Sequence, residues 1–298
     1  MDRATGAWVN GLIGVVIFAG SLPATRLAVA AFDPLFLTSA RATIAAALGG
    51  LLLIVLRQRR PERSDMAPLV LVALGCVLGF PLLTALALQH VSSAHSIVFI
   101  GLLPIFTALF GVLRGGERPR AAFWAFSLAG SACVVGFAIA GAMPAKGALG
   151  ASGGGNVIQG DLLMLAAIVV CGLGYAEGAR LSRRLGGWQV ISWALVLSLP
   201  FMVPVALWTL PSSWAHVTAP AWWGFGYVSV FSMLIGFIFW YRGLAMGGIA
   251  GVGQLQLLQP FFGLALAALL LHEAVSAMML AVTLCAVGCV AGAKRFAA

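Results

Sequence analysis

Residues 66–113 read MAPLVLVALGCVLGFPLLTALALQHVSSAHSIVFIGLLPIFTALFGVL, a run without a single Lys, Arg, Asp or Glu. A helix crosses a bilayer in about 20 apolar residues. The run therefore holds two crossings, joined by His90-Val91-Ser92-Ser93. A second charge-free run, 185–241, is longer still. Over all 298 residues 62% are hydrophobic and 8% are charged, with mean hydropathy +1.06. A soluble domain is roughly 25% charged, so this chain lacks the polar side chains to cover a surface facing water. A secreted disulfide scaffold, a disordered chain and a free cytosolic enzyme are excluded. Membrane barrel strands alternate in polarity, whereas these runs are apolar all round, which leaves an all-α integral membrane protein.

Breaks at charges and turn residues predict ten transmembrane helices: Trp8–Val29, Pro34–Leu56, Ala67–Leu88, Ala94–Leu113, Ala121–Met143, Gly160–Ser182, Gly187–Leu210, Ala221–Leu244, Ile249–Leu271 and Val275–Gly292. With the N-terminus inside, the inner segments hold Arg3, Arg57, Arg59, Arg60, Arg63, Arg114, Arg118, Arg120, Arg180, Arg183, Arg184, Arg242, Lys294 and Arg295. The outer loops hold only Lys146, while Arg26 and Arg41 fall inside spans. Basic residues collect on the cytoplasmic side, so both termini are expected in the cytoplasm. The net charge of +9 reflects this bias, and no nucleic-acid partner is expected. Arg3, the apolar run from Trp8 and Ala28-Val29-Ala30 imitate a signal peptide. The run is longer than such a segment requires, contains Pro23 and matches an internal stretch, so it reads as a retained first span.

Shifting the chain by 156 residues aligns its halves. Over 102–136 eleven of thirty-five positions coincide, among them Pro104/Pro260, Phe106/Phe262, Glu117/Glu273 and Cys133/Cys289. Gly6, Gly20, Arg26 and Leu27 match Gly160, Gly174, Arg180 and Leu181 at a shift of 154. The organisation expected is a first five-helix repeat at 1–145, a glycine-rich outer linker at 146–159 and a second repeat at 160–298. An odd number of spans per half turns the second half upside down. Inverted repeats are the architecture of secondary transporters, with the substrate site between the halves near the midplane.

Each half carries an apolar helix with a central proline, ending in glutamate: AHSIVFIGLLPIFTALFGVLRGGERP from Ala94 and GVGQLQLLQPFFGLALAALLLHEAVS from Gly251. With five plus five spans, the chain resembles the EamA-type branch of the drug/metabolite transporter superfamily along essentially its whole length. The resemblance implies export of amino acids or related metabolites, often aromatic or sulfur-containing, across the bacterial inner membrane, with no cofactor. Multidrug or nucleotide-sugar transport on the same scaffold is the alternative. An intramembrane enzyme would need a nucleophile–base pair, a metal set or paired acids, and none stands out. The first span departs from the family pattern: the usual Trp-Gly is Ala19-Gly20, followed by Ser21-Leu22-Pro23.

Several residues are candidates for the site. Pro104 and Pro260 each remove a backbone hydrogen bond, acting as hinges or as static kinks. Glu177 is the clearest acid inside a span, a coupling group or a local partner of Arg180 and Arg184. Arg41 either binds a substrate carboxylate or fastens helices by donating to freed carbonyls. Gln256, Gln259 and Gly263 recur at helical spacing and form a polar stripe, lining a cavity or bonding between helices. His95 and Phe99 are an i, i+4 pair, expected on the cavity wall with Tyr175. Trp240 and Tyr241, with Trp188, Trp208, Trp214, Trp222 and Trp223, are expected in the interfacial aromatic belt. Glu117 and Glu273 are expected to cap or pair. Spans five and ten, rich in small residues, are expected to be peripheral, with a homodimer contact through them as a second use. The five cysteines lie in apolar runs without a C-x-x-C and the histidines are scattered, so neither a metal site nor a disulfide framework is expected.

Overall fold

The computed structural model describes residues 3–142, 157–272 and 275–296, all helix and connection, with no strand among them. Eight helices are long and apolar enough to cross a membrane: α1 (Thr5–Val29), α2 (Pro34–Val55), α3 (Arg63–Ala87), α4 (Ser93–Gly115), α6 (Val157–Leu185), α7 (Gly187–Trp208), α8 (Ala219–Gly247) and α9 (Ile249–Leu271). Two further apolar helices are α5 (Ala121–Ala142) and α10 (Ala277–Lys294). The expected joint lies outside the described residues as far as 156, as does Glu273.

Polar residues start several helices, because the first turn leaves backbone N–H groups without partners. Asp33 accepts from Leu35 N and Phe36 N ahead of Pro34. Ser92 accepts from His95 N, and Ser276 from Met279 N. Glu62 and Asp65 form a capping box on α3. At the other end, α4 and α9 each stop at a left-handed residue, Gly116 (φ 70°) and His272 (φ 51°).

Prolines account for most of the internal breaks, since each lacks an N–H and crowds the carbonyl four residues back. In α1 the helix interrupts at Gly20, three residues before Pro23. Pro104 follows a break at Gly101-Leu102 in α4, and Pro260 follows a 3-10 turn, Gln254–Leu258, in α9. A π-helical segment, Ala73–Gly79, precedes Pro81 in α3. The matching segment of α8, Val228–Ile235, has no proline after it.

Packing pairs α2 with α7, α1 with α8, α3 and α4 with α6, and α5 with α10. Glycine permits the closest approaches, as in helix pairs within membranes generally. A Cβ on Gly75 of α3 would stand 2.5 Å from the Val170 carbonyl oxygen of α6, and one on Gly243 of α8 would stand 2.7 Å from Gly11 N of α1. Outside this core Ile54, Phe201, Trp208, Trp223 and Leu269 are exposed. A surface this apolar is covered by lipid.

Candidate functional site

Five aromatic rings from three helices meet inside the bundle. Phe18 of α1 stacks on Tyr175 of α6 at 6.2 Å between centroids. It meets Phe237 and Trp240 of α8 at 5.0 and 6.3 Å, edge to face. Tyr175 lies 5.9 Å from Phe237 and 5.5 Å from Trp240, and Tyr241 joins through Phe237 at 5.3 Å. Trp240 and Tyr241 are fully buried, which corrects the expectation of an interfacial belt. The Tyr241 hydroxyl donates to the Gly174 carbonyl at 3.1 Å.

The glutamines of α9 border this cluster. Side chains from other helices reach the carbonyls beside the break in α1. Tyr227 Oη donates to Ile17 O at 2.7 Å, and Gln259 Nε2 donates to Phe18 O at 3.4 Å. Gln256 Oε1 accepts from Thr107 Oγ1 of α4 at 3.5 Å. Gln256 Nε2, Gln259 Oε1 and Trp240 Nε1 are buried without hydrogen-bond partners. Buried polar atoms are ordinarily satisfied, so open ones on the glutamines and on Trp240 of the cluster mark a place where a polar ligand gains.

Arg41 stands apart from this group. It donates from Nη2 to Ser232 Oγ at 3.2 Å, and Ser232 Oγ shares a 2.7 Å hydrogen bond with Ser21 Oγ. Its recorded hydrogen bond is thus to a hydroxyl, not to a freed carbonyl. Arg26 is the arginine that takes a carbonyl, that of Leu88.

The two ends of the bundle are closed differently. At the basic end, where α4 and α6 finish and α3, α7 and α9 begin, Glu177 is fully buried between Arg114 and Arg180 Nη2, the latter at 3.0 Å. Glu117 accepts from Ile249 N and Ala250 N, both at 2.8 Å, capping α9, and lies 3.5 Å from Arg183 Nη2. Arg184 reaches Glu62 at 3.2 Å and also Asp65. Arg184 therefore does not share Glu177, as its sequence spacing suggested, because Arg114 arrives from α4 to take that place. At the opposite end His95 Nε2 pairs with Asp161 Oδ1 at 2.7 Å, and His95 lies 5.7 Å from Phe99. His95 thus pairs with Asp161 at that end, with Phe99 beside it.

A model of the EamA-like transporter family matches residues 6–139 and again 158–293. The chain belongs to this family. An uncharacterized transporter, YdeK, of Bacillus subtilis is 63% identical over 297 residues, covering 100% of both chains. A probable terminal-alkyne amino-acid exporter of Streptantibioticus cattleyicolor is 24% identical over 261 residues, covering 87% of this chain and 84% of its own. A solved crystal structure at 21% identity superposes with a TM-score of 0.70 over 98% of each chain, which is a likeness of fold. As an EamA-like protein the chain is a multi-pass membrane transporter, and these names describe transport rather than catalysis.

Several residues of this EamA-like bundle escaped the sequence reading. Phe18, Phe237, Ser21 and Ser232 are ordinary residues of apolar spans, and one chain gives no sign that they converge. Asp161 is one of only eight acids in the chain, and its place at the start of a span was a usable signal.

Proposed function

We propose that the chain is a ten-span carrier of the bacterial inner membrane with both termini in the cytoplasm. It exports amino acids, aromatic and sulfur-containing ones foremost, by alternating access between two inverted five-helix halves. The observation that carries this reading is the cluster of Phe18, Tyr175, Phe237 and Trp240 with Gln256 Nε2, Gln259 Oε1 and Trp240 Nε1 unpartnered beside it. A largely apolar wall with a few convergent polar atoms suits a small amphipathic solute. The name of the Streptantibioticus relative points to the same chemical class.

The inverted halves are supported by the helix pairings. Exchanging α1 with α6, α3 with α8 and α4 with α9 turns the α1–α8 pair into the α3–α6 pair and leaves α2–α7 and α5–α10 as they are. Breaks before Pro104 and Pro260 fall at equivalent places, which suits a pair of hinges. The placement of arginines supports a cytoplasmic basic end. Glu177, held by two arginines, is the group whose pairs must be exchanged when that end opens. A nucleotide-sugar substrate calls for several buried cations facing its diphosphate. Among the described residues Arg41 is the buried one, which favours the amino-acid reading.

The test is counterflow in proteoliposomes preloaded with unlabelled phenylalanine, tryptophan, methionine or threonine, without an ion gradient. Saturable uptake of label above that of empty liposomes is expected, with Phe18→Ala and Trp240→Ala each at least about tenfold slower through loss of contact area and stacking. Folded protein that carries none of the four overturns the amino-acid reading.

A further inference from the structure

Arg41 has an energetic problem that the arginines at the basic end do not. Arg114, Arg180, Arg183 and Arg184 are each at least two-fifths exposed, and each touches a carboxylate. Arg41 is 4% exposed, and none of the ion pairs among the described residues includes it. Its Nε has no hydrogen-bond partner. Three residues earlier on the same helix, hence on nearly the same face, the buried Thr38 hydroxyl is also unpartnered. A guanidinium within a membrane span is costly unless an anion or a full set of acceptors meets it. One hydroxyl, that of Ser232 backed by Ser21, holds Nη2 of Arg41 and leaves the Nε–H open.

We propose that Arg41, steadied by Ser232 and Ser21 and assisted by Thr38, is the receptor for the substrate's free carboxylate. The proposal rests on the amino-acid reading above and gives the substrate an orientation. Planar carboxylates fit the guanidinium edge with two parallel donors, here the open Nε–H and a hydrogen of Nη2. Ser21 follows Phe18 by three residues, and Ser232 precedes Phe237 by five. These separations amount to about 5 to 8 Å along the helices, the span from the carboxylate of an amino acid to the far part of a large side chain. The side chain then lies among Phe18, Tyr175 and Phe237, and the ammonium group faces the open Gln259 Oε1. Arg41 thus determines specificity by requiring an acid. Esters, amides and decarboxylated amines of the same side chain are discriminated against, because they leave the guanidinium without its counter-charge.

The experiment uses the full-length protein with four probes of one side chain: phenylalanine, 3-phenylpropanoate, phenylalanine amide and phenethylamine. Thermal stabilisation reads binding, and competition in counterflow reads recognition during transport. The wild type is expected to bind the two carboxylates at least about tenfold more tightly than the amide and the amine. Arg41→Gln is expected to abolish that preference, and Ser232→Ala to weaken the carboxylates while leaving the amide unchanged. Arg41→Lys, which keeps the charge but loses the fork, is expected to fall between. Equal binding of acid and amide by the wild type, or an undiminished preference in Arg41→Gln, overturns the receptor. Should Arg41→Gln not fold, the wild-type series and Ser232→Ala decide the matter. If no amino acid is carried, the amino-acid reading fails on its own. The receptor then stands if 3-phenylpropanoate stabilises the wild type and not the Arg41 variants, and falls if neither carboxylate stabilises the wild type.

Discussion

Helices α4 and α9 are equivalent in the repeat, yet they do different work. Both break one turn before a proline, at Gly101-Leu102 and at Gln254–Leu258, and both end in a left-handed residue. Their partners differ. α9 faces α1, where Gln259 donates to the Phe18 carbonyl beside the break at Gly20. α4 faces α6, which runs unbroken from Val157 to Leu185, and the residue matching Gln259 is the buried Leu103. The comparison separates two kinds of information. Backbone features that serve the scaffold are kept in both halves, while polar side chains at the candidate site are found in one.

The largest expected effect breaks this asymmetry directly. Gln259→Leu leaves the Phe18 carbonyl without its donor, which costs on the order of 1–3 kcal/mol when such a group is buried, and removes an open acceptor from the candidate site. Counterflow is expected to fall by about tenfold or more. The mirror change, Leu103→Met, nearly conserves volume and touches no freed carbonyl, so its uptake is expected to stay within about twofold of wild type. Similar losses from both would show that α4 and α9 contribute alike.

A middle-sized effect concerns the join between the two helices. Glu117→Gln keeps the size of the side chain but removes the charge that Arg183 and the helix N-terminus both favour. Its single carbonyl oxygen accepts from only one of Ile249 N and Ala250 N. A loss of about 1 kcal/mol is expected, seen as a melting temperature lower by a few degrees in detergent. Because Arg183 is a partly exposed partner that salt screens, the gap between variant and wild type should narrow as salt rises. An unchanged melting temperature would show that the cap is incidental.

The smallest effects have opposite signs at matched positions. Gly116 adopts its left-handed conformation freely, whereas His272 adopts it against the crowding of a Cβ. Gly116→Ala is expected to destabilise by about 1 kcal/mol, and His272→Gly to stabilise by a few tenths up to about 1 kcal/mol. Thermal unfolding of the two variants side by side measures the difference. Shifts of the same sign would mean that the two helix ends are not equivalent.

The helices were legible because bilayer thickness fixes their length and a charge inside one is expensive. Pro104 and Pro260 also fall just after breaks in their helices, since a missing N–H acts within four residues. Tyr175, Gln256 and Gln259 were recognisable as polar groups in apolar surroundings. The sequence reading assigned Trp240 and Tyr241 to the interfacial belt because they lie near the end of a span, whereas the structure buries them among rings of the bundle interior. It set His95 and Phe99 on the cavity wall without foreseeing Asp161, which α6 brings to His95. Phe18, Ser21 and Ser232 went unnoticed, since a phenylalanine or serine in a span is ordinary until its neighbours from other helices are known.

By itself, then, the sequence determined which segments are apolar helices, which of their residues bend them and which residues recur between the halves. These depend on transfer from water and on local backbone geometry, both set by residues near in the chain. Only the tertiary structure decided that Glu177 meets Arg114, that Gln259 meets the Phe18 carbonyl, and that Arg41 meets Ser232 of α8, itself bonded to Ser21 of α1, and none of the acids among the described residues. Those pairings depend on how helices far apart in the chain rotate and approach, and packing in three dimensions sets that.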